Sequence, residues 1–307
     1  MESAPVIRTR DLTRYYGPTV GVEGLTLDIL PGEVFGFLGP NGAGKTTTIR
    51  LLLDLIRPTR GESHLFGQPS GDPILRSRIG YLPGELSLDG RMTGNQTLDF
   101  LSALQGGGAG RPARRKELCQ RLGLFEGDLR RKVREYSRGM KQKLGLVSAL
   151  QHGPELLILD EPTTGLDPLV REVVFQIMSE ARSDGATVFH SSHILSEVDR
   201  TCDRVGILKN GELVALLSVE EARRAASRHM VVDFGAEPPL QALRDTGSEL
   251  ETVNGRRVVL RVPGELGPLL ALLSQHPVEH LSFPEPSLEE AFNNFYREGS
   301  SGVGTER

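Results

Sequence analysis

The chain reads Gly39-Pro40-Asn41-Gly42-Ala43-Gly44-Lys45-Thr46-Thr47 directly after a short apolar segment, Val34 to Leu38. Glycines carry no Cβ atom, so the backbone N–H groups of such a stretch can turn inward and surround a phosphate group. The spacing from Gly39 to Thr46, with a strand before it and a helix after it, is typical of a phosphate-binding loop. The sequence therefore predicts a strand, a loop and a helix that opens at about Thr46, with a nucleoside triphosphate as ligand. A glycine-rich turn that matches by chance is the alternative.

Two side chains of this stretch have expected roles. Lys45 would reach the β- and γ-phosphates, and Thr46 would offer its hydroxyl group to Mg²⁺. The helix that follows adds the partial positive charge of its N-terminus to the anion site.

Length and composition indicate two domains. A single hydrophobic core seldom grows beyond about 250 residues, and this chain has 307. The two cysteines, Cys119 and Cys202, form neither a disulfide framework nor a zinc-binding spacing. The sequence shows no apolar signal segment and no run near the ~18 apolar residues that span a bilayer. We therefore expect a cytoplasmic protein whose membrane role requires a separate spanning chain.

Charge is distributed unevenly along the chain. Residues 111–143 contain twelve Lys or Arg and four Asp or Glu, although the whole chain has a net charge of −4. A solvated helical face is the favoured interpretation, and a lipid-headgroup or nucleic-acid surface is the alternative. Phe125 and Tyr136 are the only aromatic residues of this segment, which argues against base stacking.

A second element, rich in acids, lies downstream. The apolar residues Leu156 to Leu159 are followed by Asp160 and Glu161. This pattern predicts a buried parallel strand that places its acids at the carboxyl edge of the sheet, where α/β folds bind ligands. Asp160 is suited to hold hydrated Mg²⁺, and Glu161 is suited to polarise the attacking water as general base.

Over residues 5–217, these elements and four others resemble the nucleotide-binding domain of ABC transporters. Before the phosphate loop, Arg14-Tyr15-Tyr16-Gly17 resembles the aromatic A-loop, and Tyr16 matches the residue that stacks on adenine. The later landmarks, in the order of the family, are the signature motif with its helix (Tyr136 to Leu144), the D-loop (Thr164 to Asp167) and the strand with the switch histidine (Thr187 to His193).

The resemblance implies a fold and a set of ligands. We expect an α/β protein, a P-loop NTPase of the ABC cassette type, with a RecA-like core, an antiparallel β subdomain and a helical subdomain. ATP and Mg²⁺ are the expected cofactors, with Thr46 and Asp160 on the metal and Glu161 and His193 as catalytic residues. The expected nucleotide-binding residues are Tyr16, Gly39, Asn41, Gly42, Ala43, Gly44, Lys45, Thr46, Thr47, Ser137 and Gly139.

The signature motif bears on the quaternary arrangement. Ser137 and the backbone N–H groups from Gly139 onward would form a second anion site at a helix N-terminus. Since the phosphate loop already surrounds the triphosphate of its own chain, this second site is expected to serve another subunit. The family forms such head-to-tail dimers, here with a second copy or a related ABC subunit. A helix N-cap is the alternative role for Ser137.

The chain departs from the family pattern at two motifs. In the signature, Tyr136, Arg138 and Met140 stand where leucine, glycine and glutamine are usual. Arg138 is expected either near the γ-phosphate of the partner or in solvent. In the Q-loop, Gly84 and Glu85 stand where the Mg²⁺-sensing glutamine is usual. Either Glu85 or water replaces it, or the coupling to the membrane partner differs.

His190 and His193 are three residues apart, a spacing that can place two imidazoles on one metal ion. The resemblance assigns His193 to the switch histidine that contacts the γ-phosphate. His190 is interpreted as a strand-end residue, and no metal beyond Mg²⁺ is expected.

The resemblance also divides the chain. Residues 1–217 are expected to form the nucleotide-binding domain. Within it, residues from about 87 to 150 form the helical subdomain, interrupted by the glycine-rich stretch 106–110. In the family, this subdomain and the Q-loop region form a groove that receives a coupling helix of the membrane subunit.

Residues 218–307 read as a separate accessory domain. From His229 to Phe283 the pattern predicts the order β-α-β-β-α-β, consistent with a small ferredoxin-like α+β fold. Asn254-Gly255 predicts the hairpin turn, and Ser287 with Glu290 predicts the capping box of a last helix.

Two classes of function remain. The first is an ATP-hydrolysing subunit at the cytoplasmic face of the membrane, which drives a separate permease. The C-terminal module resembles that of ABC-2 type efflux systems, which favours export of drugs, antibiotics or other hydrophobic compounds. The second is a soluble ABC ATPase that acts as a switch on DNA or ribosomes. The single cassette and the lack of a long heptad arm and of zinc cysteines argue against it, so no nucleic acid is expected as a partner.

Overall fold

The computed structural model describes residues 4–105, 112–225, 229–262 and 264–284. The chain divides into two compact units, of which the first ends at Ser218 and the second begins at Val219. The helix predicted at Ser287 and the glycine-rich stretch 106–110 lie outside the described residues.

The first unit combines two sheets with a set of helices. Its strands are β1 (Ile7–Tyr16), β2 (Thr19–Ile29), β3 (Val34–Leu38), β4 (Arg60–Leu65), β5 (Gln68–Pro69), β6 (Ile79–Leu82), β7 (Leu156–Asp160), β8 (Thr187–Ser192), β9 (Arg204–Lys209) and β10 (Glu212–Ser218). Its helices are α1 (Lys45–Leu52), α2 (Gly94–Leu104), α3 (Pro112–Arg121), α4 (Glu126–Leu129), α5 (Arg138–Leu150), α6 (Pro168–Ser183) and α7 (Leu195–Thr201), with 3-10 turns at Pro73–Arg78 and Val133–Glu135.

The central sheet has the strand order β10-β9-β3-β8-β7-β6. All of its neighbouring pairs are parallel except the edge pair of β10 with β9. Every residue of β3, β7 and β8 is buried, as is usual where helices or other layers cover both faces of a parallel sheet. The register pairs Leu38 with Ser192 and Asp160 with Ser191. The end of β3 and the acid at the end of β7 therefore reach the same edge of the sheet.

An antiparallel sheet of order β2-β1-β4-β5 completes the core of the first unit. Leu25 and Leu27 of β2 share one apolar cluster with Ile49 of α1 and with the aromatic residues of the central sheet. In that cluster the rings of Phe35 and Phe189 stack with their centres 5.9 Å apart. The predicted α/β class, with an antiparallel β part beside a parallel core, is confirmed.

Helices α2 to α5 occupy the segment predicted to be helical. A capping box begins α2, because the Thr93 hydroxyl accepts from the Gln96 N–H and the Gln96 side chain accepts from the Thr93 N–H. Several arginines of the basic segment are tied to acids on other elements, among them Arg115 to Asp99 and Arg121 to Glu180. Much of the local positive charge is thus balanced across the fold.

The second unit forms its own antiparallel sheet. Its elements are α8 (Val219–Ala225), β11 (His229–Phe234), α9 (Leu240–Asp245), β12 (Glu249–Asn254), β13 (Arg257–Arg261), α10 (Leu266–Leu273) and β14 (Val278–Ser282). The sheet order is β12-β13-β11-β14. From β11 onward, this order and the alternation of strands and helices confirm the predicted ferredoxin-like arrangement. Its core packs Val232, Phe234 and Leu260 of the sheet with Leu243 and Leu269 of the helices.

The hairpin turn between β12 and β13 lies one residue later than predicted. Asn254 still belongs to β12 and pairs with Arg257, so the turn consists of Gly255 and Arg256. Gly255 has a φ of +59°, and a left-handed glycine at the first central position is typical of a type II′ turn. This register sets Val253 opposite Val258, and paired β-branched side chains stabilise a hairpin. The predicted turn would have set Val253 opposite Arg256.

Candidate nucleotide-binding site

The glycine-rich loop connects the end of β3 to the start of α1. Gly44 has a φ of +107°, and a Cβ atom added there would lie 2.3 Å from the carbonyl oxygen of Gly21. A Cβ atom at Gly39 would lie 2.5 Å from the carbonyl oxygen of Leu208. No side chain fits at either position, so the loop can take this path only with glycine. Helix α1 begins at Lys45, one residue before the predicted start.

Lys45 is buried and lies back along the loop. Its side chain is 5% exposed. Its Nζ atom donates to the carbonyl oxygens of Gly39 at 2.7 Å and Pro40 at 3.2 Å. The same atom lies 3.6 Å from Glu161 Oε1. A cation is therefore held at the mouth of the loop by groups that it can exchange for phosphate oxygens.

Asp160 joins three elements at the edge of the central sheet. It ends β7 and is buried. Its Oδ2 atom accepts from the Thr46 hydroxyl at 2.7 Å, and its Oδ1 atom accepts from the Ser191 hydroxyl. A carboxylate beside a hydroxyl group is the oxygen donor set that Mg²⁺ prefers. The residues present therefore fit Mg²⁺, and the predicted ligands Thr46 and Asp160 lie in direct contact.

Glu161 has an unusual backbone conformation. Its φ of +50° lies in the left-handed region. A residue other than glycine persists in this conformation only where the surrounding structure fixes it. Its N–H donates to Ser191 Oγ at 3.0 Å, and its Oε2 atom accepts from the Thr164 hydroxyl at 3.2 Å. Its Oε1 atom lies 3.2 Å from His193 Nδ1. The two predicted catalytic side chains are thus in contact.

A cleft of about 300 Å³ contains most of the predicted nucleotide-binding residues. It extends from Tyr16, past Asn41 and Thr47, to Glu161. The Tyr16 ring is partly exposed, and the guanidinium carbon of Arg14 lies 5.0 Å from its centre. An open aromatic ring beside the cleft can stack on a planar base. Of the predicted phosphate-loop residues, the lining includes Asn41, Gly42, Gly44, Lys45, Thr46 and Thr47 but neither Gly39 nor Ala43.

Ser137 and Gly139 lie at the start of α5 and do not line this cleft. Ser137 is the N-cap residue, and its hydroxyl accepts from the Met140 N–H at 3.2 Å. A Cβ atom at Gly139 would lie 2.9 Å from the carbonyl oxygen of Gly165 in the D-loop. The N-cap role considered for Ser137 is present, and the residue is exposed.

The departures from the family pattern have distinct surroundings. Tyr136 is buried, and its hydroxyl donates to the carbonyl oxygen of Asp128 at 2.7 Å. Arg138 is exposed, with its aliphatic stem beside Gly165. A Cβ atom at Gly84 would lie 3.1 Å from Asp160 Oδ2, whereas Glu85 is exposed. The backbone at Gly84 thus lies next to the predicted metal ligand.

His190 and His193 are in different environments. His190 is fully buried in β8, with its Nε2 atom 3.0 Å from Cys202 Sγ. Burial lowers the pKa of His190 to about 4 and raises the pKa of the Cys202 thiol to about 12. His193 follows the strand and is exposed. The described residues contain no group of three or more His, Cys, Asp or Glu that could hold a metal ion.

Sequence reasoning missed several residues that support these groups. Ser191 contacts both Asp160 and Glu161. The buried Glu197 accepts from Thr163 and Ser192, each at 3.0 Å, and so fastens the loops that carry Glu161 and His193. Only the polar Ser-Ser pair directly before His193 offered a signal, since two hydroxyl groups at the end of a buried strand need partners.

Comparison with known proteins shows the family and agrees with the fold. The ABC transporter family model matches residues 22–164. The bacitracin transport ATP-binding protein BcrA of Bacillus licheniformis is 34% identical, over 97% of this chain and 99% of the relative. The daunorubicin/doxorubicin resistance ATP-binding protein DrrA of Streptomyces peucetius is 39% identical, over 68% and 64%. A solved dimeric bacterial ABC transporter cassette has a TM-score of 0.64 at 25% identity and covers 69% of this chain and 98% of its own.

The chain belongs to the family of ABC transporter ATP-binding proteins. It is an ATPase whose nucleotide is ATP and whose usual metal for hydrolysis is Mg²⁺. Within the described residues, the helices are too short or too polar for any of them to cross a bilayer.

Proposed function

We propose that this chain is the ATP-hydrolysing subunit of an ABC exporter. In this proposal it closes as a dimer around two ATP molecules and drives a separate permease from the cytoplasmic face of the membrane. One observation carries the proposal. At the carboxyl edge of the central sheet, Thr46 contacts Asp160, Glu161 contacts both Lys45 and His193, and Ser191 bonds to both acidic residues.

The binding step rests on residues already in place. Lys45 exchanges the carbonyl oxygens of Gly39 and Pro40 for the oxygens of the β- and γ-phosphates. Thr46 and Asp160 would hold Mg²⁺, which supplies charge neutralisation on the phosphate oxygens when it is bound. Tyr16 stacks on the adenine at the other end of the cleft.

The hydrolytic step rests on Glu161 and His193. Glu161 accepts a proton from the water that attacks the γ-phosphate, in line with the leaving oxygen. The His193 imidazole, within hydrogen-bond distance of Glu161 Oε1, keeps this carboxylate aimed at the water and faces the γ-phosphate. Ser191 binds the N–H group of Glu161, and the Thr164 hydroxyl binds its Oε2 atom.

The dimer completes each site in this proposal. Ser137 and the N–H groups after Gly139 contact the γ-phosphate held by the partner, because they lie outside the cleft of their own chain. The dimeric cassette with the same fold supports this arrangement. Residues 1–217 serve as the nucleotide-binding domain, with a helical subdomain at about 87–150. Residues 218–307 serve as an accessory domain that stabilises the dimer.

A second cleft supports docking of the permease. It has a volume of about 360 Å³ and lies between the Q-loop region and the helical part of the first unit. Its lining includes Tyr81, Leu86, Leu88 and Leu101. An apolar groove of this kind accepts the apolar face of a short helix. The names of the relatives, bacitracin transport and daunorubicin/doxorubicin resistance, support an antibiotic or another hydrophobic compound as the exported substrate.

The test is the rate of ATP hydrolysis against protein concentration, with and without the co-expressed permease. Because half of each site comes from a second chain, we expect a weak rate that rises more than linearly with concentration. The permease should raise the rate further by holding two chains in register. A high, concentration-independent rate for the lone chain would contradict the shared site.

A further inference from the structure

The amide of Gln142 connects the signature helix to the backbone around Glu161. Gln142 lies in the second turn of α5 and is only 6% exposed. Its Nε2 atom donates to the carbonyl oxygen of Glu161 at 3.2 Å and to that of Pro162 at 3.1 Å. The Glu161 carbonyl oxygen also accepts from the Thr164 N–H at 3.2 Å. The buried bond to the Pro162 carbonyl group comes from Gln142, and leaving a buried carbonyl group unpaired is costly.

These bonds act on a backbone conformation that is unfavourable for a residue other than glycine. Glu161 is left-handed, a conformation that persists only where the surroundings fix it. Ser191 binds its N–H group, and Gln142 binds its carbonyl group together with the N–H of Thr164. These bonds fix the peptides on both sides of its Cα atom, and Gln142 is the member of the set that lies on α5. Rotation of either peptide would swing the carboxylate away from Lys45 and His193.

The same helix has a second contact with the loop that follows Glu161. Gly139 packs so closely on the carbonyl oxygen of Gly165 that no Cβ atom fits between them. The stem of Arg138 lies beside Gly165, within 3.5 Å of the position of a Cβ atom there. The start of α5 therefore contacts both ends of the segment from Glu161 to Gly165, and a movement of this helix reaches Glu161.

We propose that Gln142 is a positioning residue that couples the two nucleotide sites of the dimer. The inference rests on the proposed function, in which Ser137 at the start of α5 faces the nucleotide of the partner. Gln142, on the same rigid helix, sets the carboxylate of Glu161 in its own chain. Seating of the partner's nucleotide on α5 thereby places Glu161 for hydrolysis of the chain's own nucleotide.

The experiment uses mixed dimers purified through two different affinity tags. Gln142→Met removes the amide but keeps the length of the side chain. In the first mixed dimer, one chain carries Gln142→Met and its partner carries Glu161→Gln. Turnover then occurs only at the Glu161 of the chain with the methionine. In the second, one chain carries both changes, so turnover occurs only at the Glu161 of the unchanged partner.

We expect the first mixed dimer to lose about tenfold to a hundredfold in kcat at saturating Mg-ATP, since small misplacements of a catalytic group cost this much. Its KM for ATP should stay within about twofold, because the binding residues are untouched. The second mixed dimer should lose less than about threefold in kcat. Equal losses in both, or a loss confined to KM, would overturn the assignment.

Gln151→Met is the matched control. Gln151 is also buried, lies at the opposite end of α5, and donates its amide to the carbonyl oxygen of Leu98 at 3.2 Å. Its amide bonds to α2 and makes no hydrogen bond to Glu161 or Pro162. If loss of a buried amide merely loosened the helix, this variant would lower kcat as Gln142→Met does, and the proposal would be wrong.

The coupling is measured in dimers in which one chain carries Glu161→Gln, so that only the other chain hydrolyses ATP. Ser137→Ala is added to this hydrolysing chain, once with Gln142 unchanged and once together with Gln142→Met. Ser137 of that chain lies at the other site, so its loss acts from a distance. We expect it to lower kcat by at least about threefold when Gln142 is present and to have no further effect beside Gln142→Met. Independent, multiplicative effects would refute the coupling. An unchanged rate in the Glu161→Gln homodimer would instead refute the proposed function itself.

Discussion

The sheets of the two units differ in where their polar residues lie along the strands. In the central sheet, β3, β7 and β8 are buried throughout, and the polar groups that contact the predicted site, such as Asp160 and Ser191, lie at the carboxyl ends of the strands. In the second unit, β11 alternates between buried and half-buried residues. Polar groups such as Asp233 lie along this strand and pair with residues of neighbouring strands, here Arg257.

The difference follows from how the strands are connected. In a parallel sheet each strand enters from the same side, so the loops that follow the strands gather at one edge and can build a site. In an antiparallel sheet the loops are divided between two edges. The first unit therefore brings together the proposed catalytic groups from positions far apart in sequence. The second unit, over its described residues, offers an apolar core and paired surface charges.

The largest effect should follow a change at the catalytic edge. Glu161→Gln should lower kcat by about a hundredfold or more, because the amide cannot accept a proton from water. ATP binding should remain, since Lys45, Thr46 and Asp160 are unchanged, and the protein should accumulate as a closed ATP dimer. Steady-state ATPase and analytical size exclusion with ATP measure both effects.

Glu155→Gln is the control for this change, since Glu155 directly precedes β7 at its opposite end and pairs with Arg78 on the surface. It should leave kcat near that of the unchanged protein. Near-normal ATPase in Glu161→Gln would remove Glu161 from the proposed mechanism.

Stability should depend on pH through the buried His190 of the central sheet. Its pKa is lowered to about 4 in the folded protein by burial, against about 6.5 in an unfolded chain. Protons therefore bind the unfolded state first, and stability should be full above pH 6.5 and fall as the pH decreases towards 4. The loss is on the order of 3 kcal/mol.

Urea unfolding followed by circular dichroism from pH 7.5 to 4.5 measures this loss. His190→Phe keeps the size of the ring and should flatten this part of the pH dependence, whatever its effect on the absolute stability. An equal slope in the variant would show that other groups account for it.

The third prediction compares the two anion sites of the first unit. If Ser137 acts on the nucleotide of the partner, mixing Ser137→Arg chains with Lys45→Ala chains should give dimers with one doubly damaged and one intact site. About half of the normal activity is the upper limit for one intact site, and the coupling proposed through Ser137 and Gln142 of the hydrolysing chain would lower it further. Activity above that of both homodimers supports the shared site. A site complete within one chain predicts no rescue.

The smallest effect should follow removal of the second unit. Deleting residues 218–307 should leave the Kd for ATP within about twofold, since the proposed binding groups all lie in the first unit. Assembly should weaken, visible as a higher protein concentration needed for half-maximal ATPase. A tenfold weaker Kd for ATP would show that the second unit contributes to the nucleotide site.

The sequence by itself determined the local parts of this protein. The phosphate loop was readable because its glycines are required by backbone geometry that spans only a few residues, as at Gly39 and Gly44. The strand before Asp160 and the ferredoxin-like order of the second unit were readable from short apolar patterns. Gly255 was recognisable as a turn residue, although its place within the turn was not, since strand pairing decides the turn position.

Only the tertiary structure decided which distant groups meet. Thr46 and Asp160 are 114 residues apart and share a hydrogen bond, and nothing local in either segment specifies the other. The burial of His190 against Cys202 and the hydrogen bond from Gln142 to the Glu161 carbonyl oxygen likewise arise from packing between separate elements. The physical reason is that hydrogen-bond partners are chosen by three-dimensional proximity after the sheet and helices have packed, whereas loops and periodic strands are specified by the residues that form them.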